Sequence, residues 1–182
     1  PRARSRIAVA RSETDAAMKV TGLLGGSFNP AHRAHRRISL SALRALGLAE
    51  VWWLVSPGNP LKPAAGMAPL AARMRSAQKV AARAPIRVTA IESVLGTRYT
   101  IDTLRALKRR YPRRRFVWLM GSDNLAQFHL WKDWRKIARE MPIAVIAPPG
   151  YDAAALASPA MAGPPATSPM VARRVAFMKK PC

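Results

Sequence analysis

The chain has 182 residues, is 49% apolar, and sets 31 lysines and arginines against 9 acidic residues for a formal charge of +22. That length and composition suit a single folded domain with its own apolar core and exclude a disordered chain. No apolar run approaches the roughly 18 residues a membrane span needs, and one cysteine, Cys182, excludes an intramolecular disulfide and a cysteine-based metal cluster.

A reducing, cytoplasmic setting is the expectation. So positive a surface attracts phosphate-bearing partners, and it also fits an arginine-rich composition spread over a solvated surface. Residues 1–19 carry four arginines and small residues without a clear period or a secretory apolar core, and are expected to form a poorly ordered leader.

From Val20 the pattern alternates. VTGLLGG predicts a buried strand, HRRISLSALRALG an amphipathic helix ended by Gly47, and VWWLVS a second strand. APLAARMRSAQKVAARA is helical, IRVTAI is a strand and YTIDTLRALKRRY is helical; FVWLMG is a buried strand, a short helical stretch lies near Trp131 to Glu140, and IAVIA closes the series. In the dense run RALKRRYPRRR a proline stop separates helix from strand, so its arginines are expected to face water. Trp52 and Trp53 belong to the core, and His129 is read as structural or exposed.

Strands separated by helix-length segments imply βαβ units, and hence a single α/β domain over residues 20–147: a Rossmann-like, doubly wound, mostly parallel sheet. Ligands of such sheets sit beyond the carboxyl ends of the strands. This directs attention to GGSFNPAHRAH, SPGNPLKP and GSDNLAQFHLW. Residues 148–182 are rich in proline and alanine, without apolar periodicity, and read as a tail.

In GGSFNPAHRAH, Gly25 and Gly26 end a strand and lead into a helix, whose free amides and positive dipole end favour an anion. His32 and His35, three residues apart, share one face of the first turn and can donate to phosphate oxygens. A glycine pair after a strand also fits a plain tight turn, and two histidines at this spacing also fit half of a metal site. Two of the chain's three histidines in one phosphate-facing turn favour the catalytic reading.

G-G-S-F-N-P-A-H-R-A-H resembles the G-G-[ST]-F-[DN]-P-x-H-x-G-H signature of the bacterial nicotinate-nucleotide adenylyltransferases, within the wider H-x-G-H nucleotidylyltransferases, with Ala34 where the family has glycine. The resemblance runs from about Val20 to Gly150. It implies transfer of the adenylyl group of ATP to nicotinate mononucleotide with release of pyrophosphate, His32 and His35 being catalytic. By the same likeness Gly25, Gly26, Ser27, Phe28, Gly121 and Ser122 bind ATP.

In S-P-G-N-P-L-K-P, Asn59 and Lys62 match a loop that meets substrate phosphate, and R-Y-T-I-D-T-L matches an element containing Thr100 and Asp102. Thr100 taken alone is a helix-capping residue. In G-S-D-N-L-A-Q-F-H-L-W the resemblance gives Asp123 a ribose hydroxyl and Trp131 the pyridine ring, for which a flat indole face is suited. Magnesium is expected on the ATP phosphates rather than in a protein cage, since acidic residues are few.

The family's I-S-[SA]-[ST]-x-I-R element has no counterpart here, and Pro148 stands where its R-P-G segment carries arginine. A chain shortened or out of frame beyond about Gly150, with weakened ATP affinity, is the expectation. Two alternatives stay open: another adenylyl or cytidylyl transferase, such as the pantetheine-phosphate type, and a basic protein binding nucleic acid without sequence preference.

Overall fold

The computed structural model of the chain describes residues 19–58, 65–146 and, as backbone, 175–178. Its strands are β1 (Val20–Gly26), β2 (Glu50–Val55), β3 (Ile86–Thr89), β4 (Arg115–Gly121), β5 (Ile143–Ile146) and β6 (Val175–Met178). Its helices are α1 (Arg33–Leu46), α2 (Leu70–Ala81), α3 (Ile91–Leu95), α4 (Thr100–Arg110), α5 (Ser122–Gln127) and α6 (Trp134–Glu140), with a 3-10 turn at Phe128–Leu130. The strands form one six-stranded sheet in the order β3-β2-β1-β4-β5-β6, and every pairing is parallel. The doubly wound expectation holds, with its switch point between β1 and β4, where the strand order reverses.

Successive strand residues face opposite sides, so a sheet covered on both faces needs apolar residues at every position. Leu23, Trp52, Leu54, Trp118 and Met120 pack on one face with Ile101, Leu104 and Leu107 of α4 and Ile137 of α6. Leu24, Trp53, Val55 and Leu119 pack on the other with Ala42 of α1 and Ala77 of α2. The adjacent indoles of Trp52 and Trp53 are thus shared between two cores, 1% and 0% exposed, each burial contributing about 2 kcal/mol or more.

Gly47 ends α1 in the left-handed conformation, φ 60°, with its amide on Leu43 O, as a glycine C-cap does. The strand expected over IRVTAI stops at Thr89, because Ile91 turns into the short α3. SDNLAQ, beyond the fourth expected strand, forms the helix α5. In the segment read as a tail, Val175–Met178 adds a strand beside β5, a correction for which four residues offered too short a pattern. The rest of 148–182, and the leader apart from Lys19, lie outside the described residues. Among the described residues no helix is long and apolar enough to cross a membrane.

Candidate active site

A cleft of 550 Å³ opens at the carboxyl ends of β1 and β4, at the switch point. Gly25, Gly26, Ser27 and Phe28 line it from the end of β1, His32 and His35 from the start of α1, and Thr100, Gly121, Asp123 and Trp131 from the later segments. Most residues singled out in the sequence therefore converge, although they come from three separate stretches of chain. Ser122 does not join them: it is buried at the start of α5 and does not line the cleft. Asn59 and Lys62 lie outside the described residues.

The imidazole of His35 is held at Nδ1 and packed against two neighbouring rings. His32 N–H donates to its Nδ1 at 3.2 Å. The Ser39 hydroxyl donates to its backbone carbonyl at 2.9 Å and accepts from Trp53 Nε1 at 2.8 Å. The ring lies 4.6 Å from that of Phe28 and 3.9 Å from that of His32. Burial, and next the charge of His32, push the His35 pKa down from 6.5 to about 4. The ring is therefore neutral near pH 7, and with Nδ1 accepting, its proton sits on Nε2. His32, by contrast, is exposed.

Phe28 occupies a left-handed position, φ 48°, and is 1% exposed. Its ring stacks on Trp53 at 5.0 Å. It is a core residue whose edge reaches the cleft, so its side chain supports His35 from beneath. The glycines also serve the protein itself. A Cβ on Gly25 would stand 2.5 Å from the Trp118 ring, whereas one on Gly26 meets only ordinary contacts. The bare backbone at Gly25 thus accommodates an indole of β4, and only at Gly26 is it left clear. On Gly121 a Cβ would meet the Asp123 carboxylate at 2.6 Å, which shows how closely that side chain folds over the end of β4.

Thr100 opens α4 but does not cap it: the N-cap is Tyr99. Thr103 ties this corner together, its hydroxyl 2.8 Å from that of Thr97 and 3.2 Å from Tyr99 O. Trp131 stands edge-on to Trp118 at 6.1 Å and Phe128 at 5.5 Å, leaving part of the indole to the cleft. Lys132 bridges this side, with Nζ 4.2 Å from the Tyr99 ring centre and 4.0 Å from the Asp102 carboxylate. Asp102 itself does not line the cleft.

Ser56, Glu92, Arg98 and Lys132 line the cleft without having been found in the sequence. Glu92 is 8% exposed, and burial pushes its carboxyl up to about 7, the Ser56 hydroxyl opposing this only in part. The Ser56 hydroxyl also lies 2.7 Å from Gly58 O. A near-neutral acid can line an anion-binding cleft without repelling its ligand. An isolated glutamate at a strand-to-helix junction carries no sequence signal for this.

The cytidylyltransferase-like family model matches residues 23–178. Over 142 residues the chain is 76% identical to an Erythrobacter litoralis (strain HTCC2594) protein named "Probable nicotinate-nucleotide adenylyltransferase", a match covering 78% of this chain and 65% of that one. A protein of the same name from Bradyrhizobium sp. (strain ORS 278) is 58% identical over 139 residues, 76% of this chain and 72% of its own length. The chain thus spans about two thirds of the length of these relatives. Among solved structures, the Plasmodium falciparum nicotinic acid mononucleotide adenylyltransferase complexed with NaAD superposes with a TM-score of 0.70 at 19% identity, over 90% of this chain and 76% of that one. At that identity the likeness is one of fold.

Proposed function

This chain belongs to the cytidylyltransferase-like family, with nicotinate-nucleotide adenylyltransferases as its near relatives, and we propose that it joins ATP and nicotinate mononucleotide into nicotinate adenine dinucleotide, releasing pyrophosphate. The observation that carries this reading is the pair of imidazoles lining the cleft at the switch point, one of them neutral with a fixed tautomer.

A phosphate oxygen of the mononucleotide attacks the α-phosphorus of ATP, the bond from that phosphorus to the bridging oxygen breaks, and pyrophosphate departs on the opposite side. No protein nucleophile is needed. His35 Nε2–H, whose orientation is set before substrate arrives, donates to a phosphate oxygen as charge builds on it; such preorganised donors are worth about 10²–10³ in rate. His32 adds a second donor at the exposed rim. Gly26 and Ser27 bring backbone close to the nucleotide, Gly121 and Asp123 hold the adenylyl or ribose side, and Trp131 with Thr100 receives the pyridine nucleotide.

Asp123 is an exposed carboxylate lining the cleft, whereas burial raises the Glu92 carboxyl to about 7. One carboxylate suits a magnesium ion whose other ligands are phosphate and water oxygens. When bound, that ion would neutralise phosphate charge.

The test is pyrophosphate release from ATP and magnesium with nicotinate mononucleotide, nicotinamide mononucleotide or phosphopantetheine supplied in turn. Fastest release with nicotinate mononucleotide is expected, with kcat about 10²-fold lower in His35→Ala while mononucleotide binding changes little. Release equal to the ATP-only blank with every acceptor contradicts the proposal.

A further inference from the structure

Arg73 lies on α2 and belongs to no motif. Its side chain is nevertheless 2% exposed and makes a dense set of bonds. Nε donates to Ala68 O at 2.8 Å, one terminal nitrogen donates to Ser27 O and Ser56 O, both at 2.7 Å, and the other donates to Pro57 O at 3.3 Å. All of these acceptors are neutral carbonyls, and among the described residues no carboxylate pairs with Arg73. A guanidinium does not shed its proton in a protein, so the charge persists.

Ser27 follows β1, Ser56 follows β2, and both line the cleft. The Asn29 amide reinforces the same joint, donating to Gly66 O at 3.0 Å and accepting from Ala68 N at 3.2 Å. Burying a cation is unfavourable unless something offsets the lost hydration. Carbonyl dipoles do so here without cancelling the charge, which remains available to an anion on the far side of the wall.

We propose that Arg73 is a positioning residue for phosphate binding: it sets the separation of the two strand ends that flank the phosphates and holds a permanent positive charge behind them. This rests on the proposed adenylyl transfer, in which those phosphates belong to the nucleotide.

Arg73→Lys keeps the charge but loses the planar fork that spans four acceptors, and Arg73→Met removes both. Calorimetric binding of inorganic tripolyphosphate to the 182-residue chain is expected to weaken about tenfold in Arg73→Met and by an intermediate factor in Arg73→Lys. The KM for ATP should rise in parallel, while kcat changes less than about threefold. Lower thermal midpoints with unchanged tripolyphosphate affinity and unchanged KM overturn the proposal, because a purely structural residue behaves that way. Should neither variant fold, the ¹⁵N resonance of Arg73 Nε in the wild-type chain decides: a shift on titration with tripolyphosphate supports the proposal, and an unmoved signal at saturation overturns it. Wild-type pyrophosphate release matched by both variants sinks the role of Arg73 alone, whereas wild-type tripolyphosphate binding without pyrophosphate release sinks the transfer reading alone.

Discussion

At the amino end of the sheet, Arg114 reaches both the Glu50 carboxylate and the Thr21 hydroxyl. At the carboxyl end, Arg73 meets only carbonyl oxygens, and the Glu92 carboxyl lies buried with a serine hydroxyl as its partner. Ser56 stands between the two, its carbonyl accepting from the arginine and its hydroxyl bonded to the acid. Where acid and base meet, each cancels the other's field and the result is a strut. Where they are kept apart, one charge is preserved and the other suppressed, and both choices favour an anion in the cleft. A formal charge of +22 therefore says less about the site than the placement of a single buried arginine.

The largest effect expected to sharpen this contrast lies in stability against pH. Between about 4.5 and 7 the folded chain holds a proton on Glu92 that the unfolded chain has released, so this group's contribution falls as pH rises through that window. Between about 4 and 6.5 the unfolded chain holds a proton on His35 that the folded chain lacks, so the histidine contribution rises with pH. The two slopes oppose each other where the windows overlap. Glu92→Gln should unmask the rising histidine limb in urea unfolding and should exceed the wild type by about 3 kcal/mol above pH 7. Parallel curves for the two proteins at every pH would break the contrast.

A smaller effect is expected at the other end of the sheet. Arg114→Met should cost about 1 kcal/mol, the scale of a partly exposed ion pair, and leave pyrophosphate release unchanged. A loss of activity there without a loss of stability would mean that the amino end also reaches the reaction.

Local signals made much of this legible. The alternation of β-strand and helix periods, Gly47 as a helix stop, and the grouping of His32 with His35 each depend on residues near one another in the chain. Packing between distant segments was not legible. Gly25 is small because Trp118 of β4 fills the space beside it. Phe28 sits in a signature that reads as nucleotide-binding, yet its ring stacks on Trp53. Arg73 and Glu92 follow no spacing rule, since what distinguishes them is the set of groups that the folded chain brings around them. The strand at Val175–Met178 was hidden for a different reason: four residues at a sheet edge carry too little pattern to stand out from a region rich in proline and alanine.

The preorganised imidazole is open to direct measurement by ¹⁵N NMR of the histidine rings across a pH titration. The expected result is a His35 ring that is neutral from pH 5 to 8 on about that scale, with its proton on Nε2, and that titrates only near pH 4. A midpoint close to 6.5, or a proton resident on Nδ1, contradicts it.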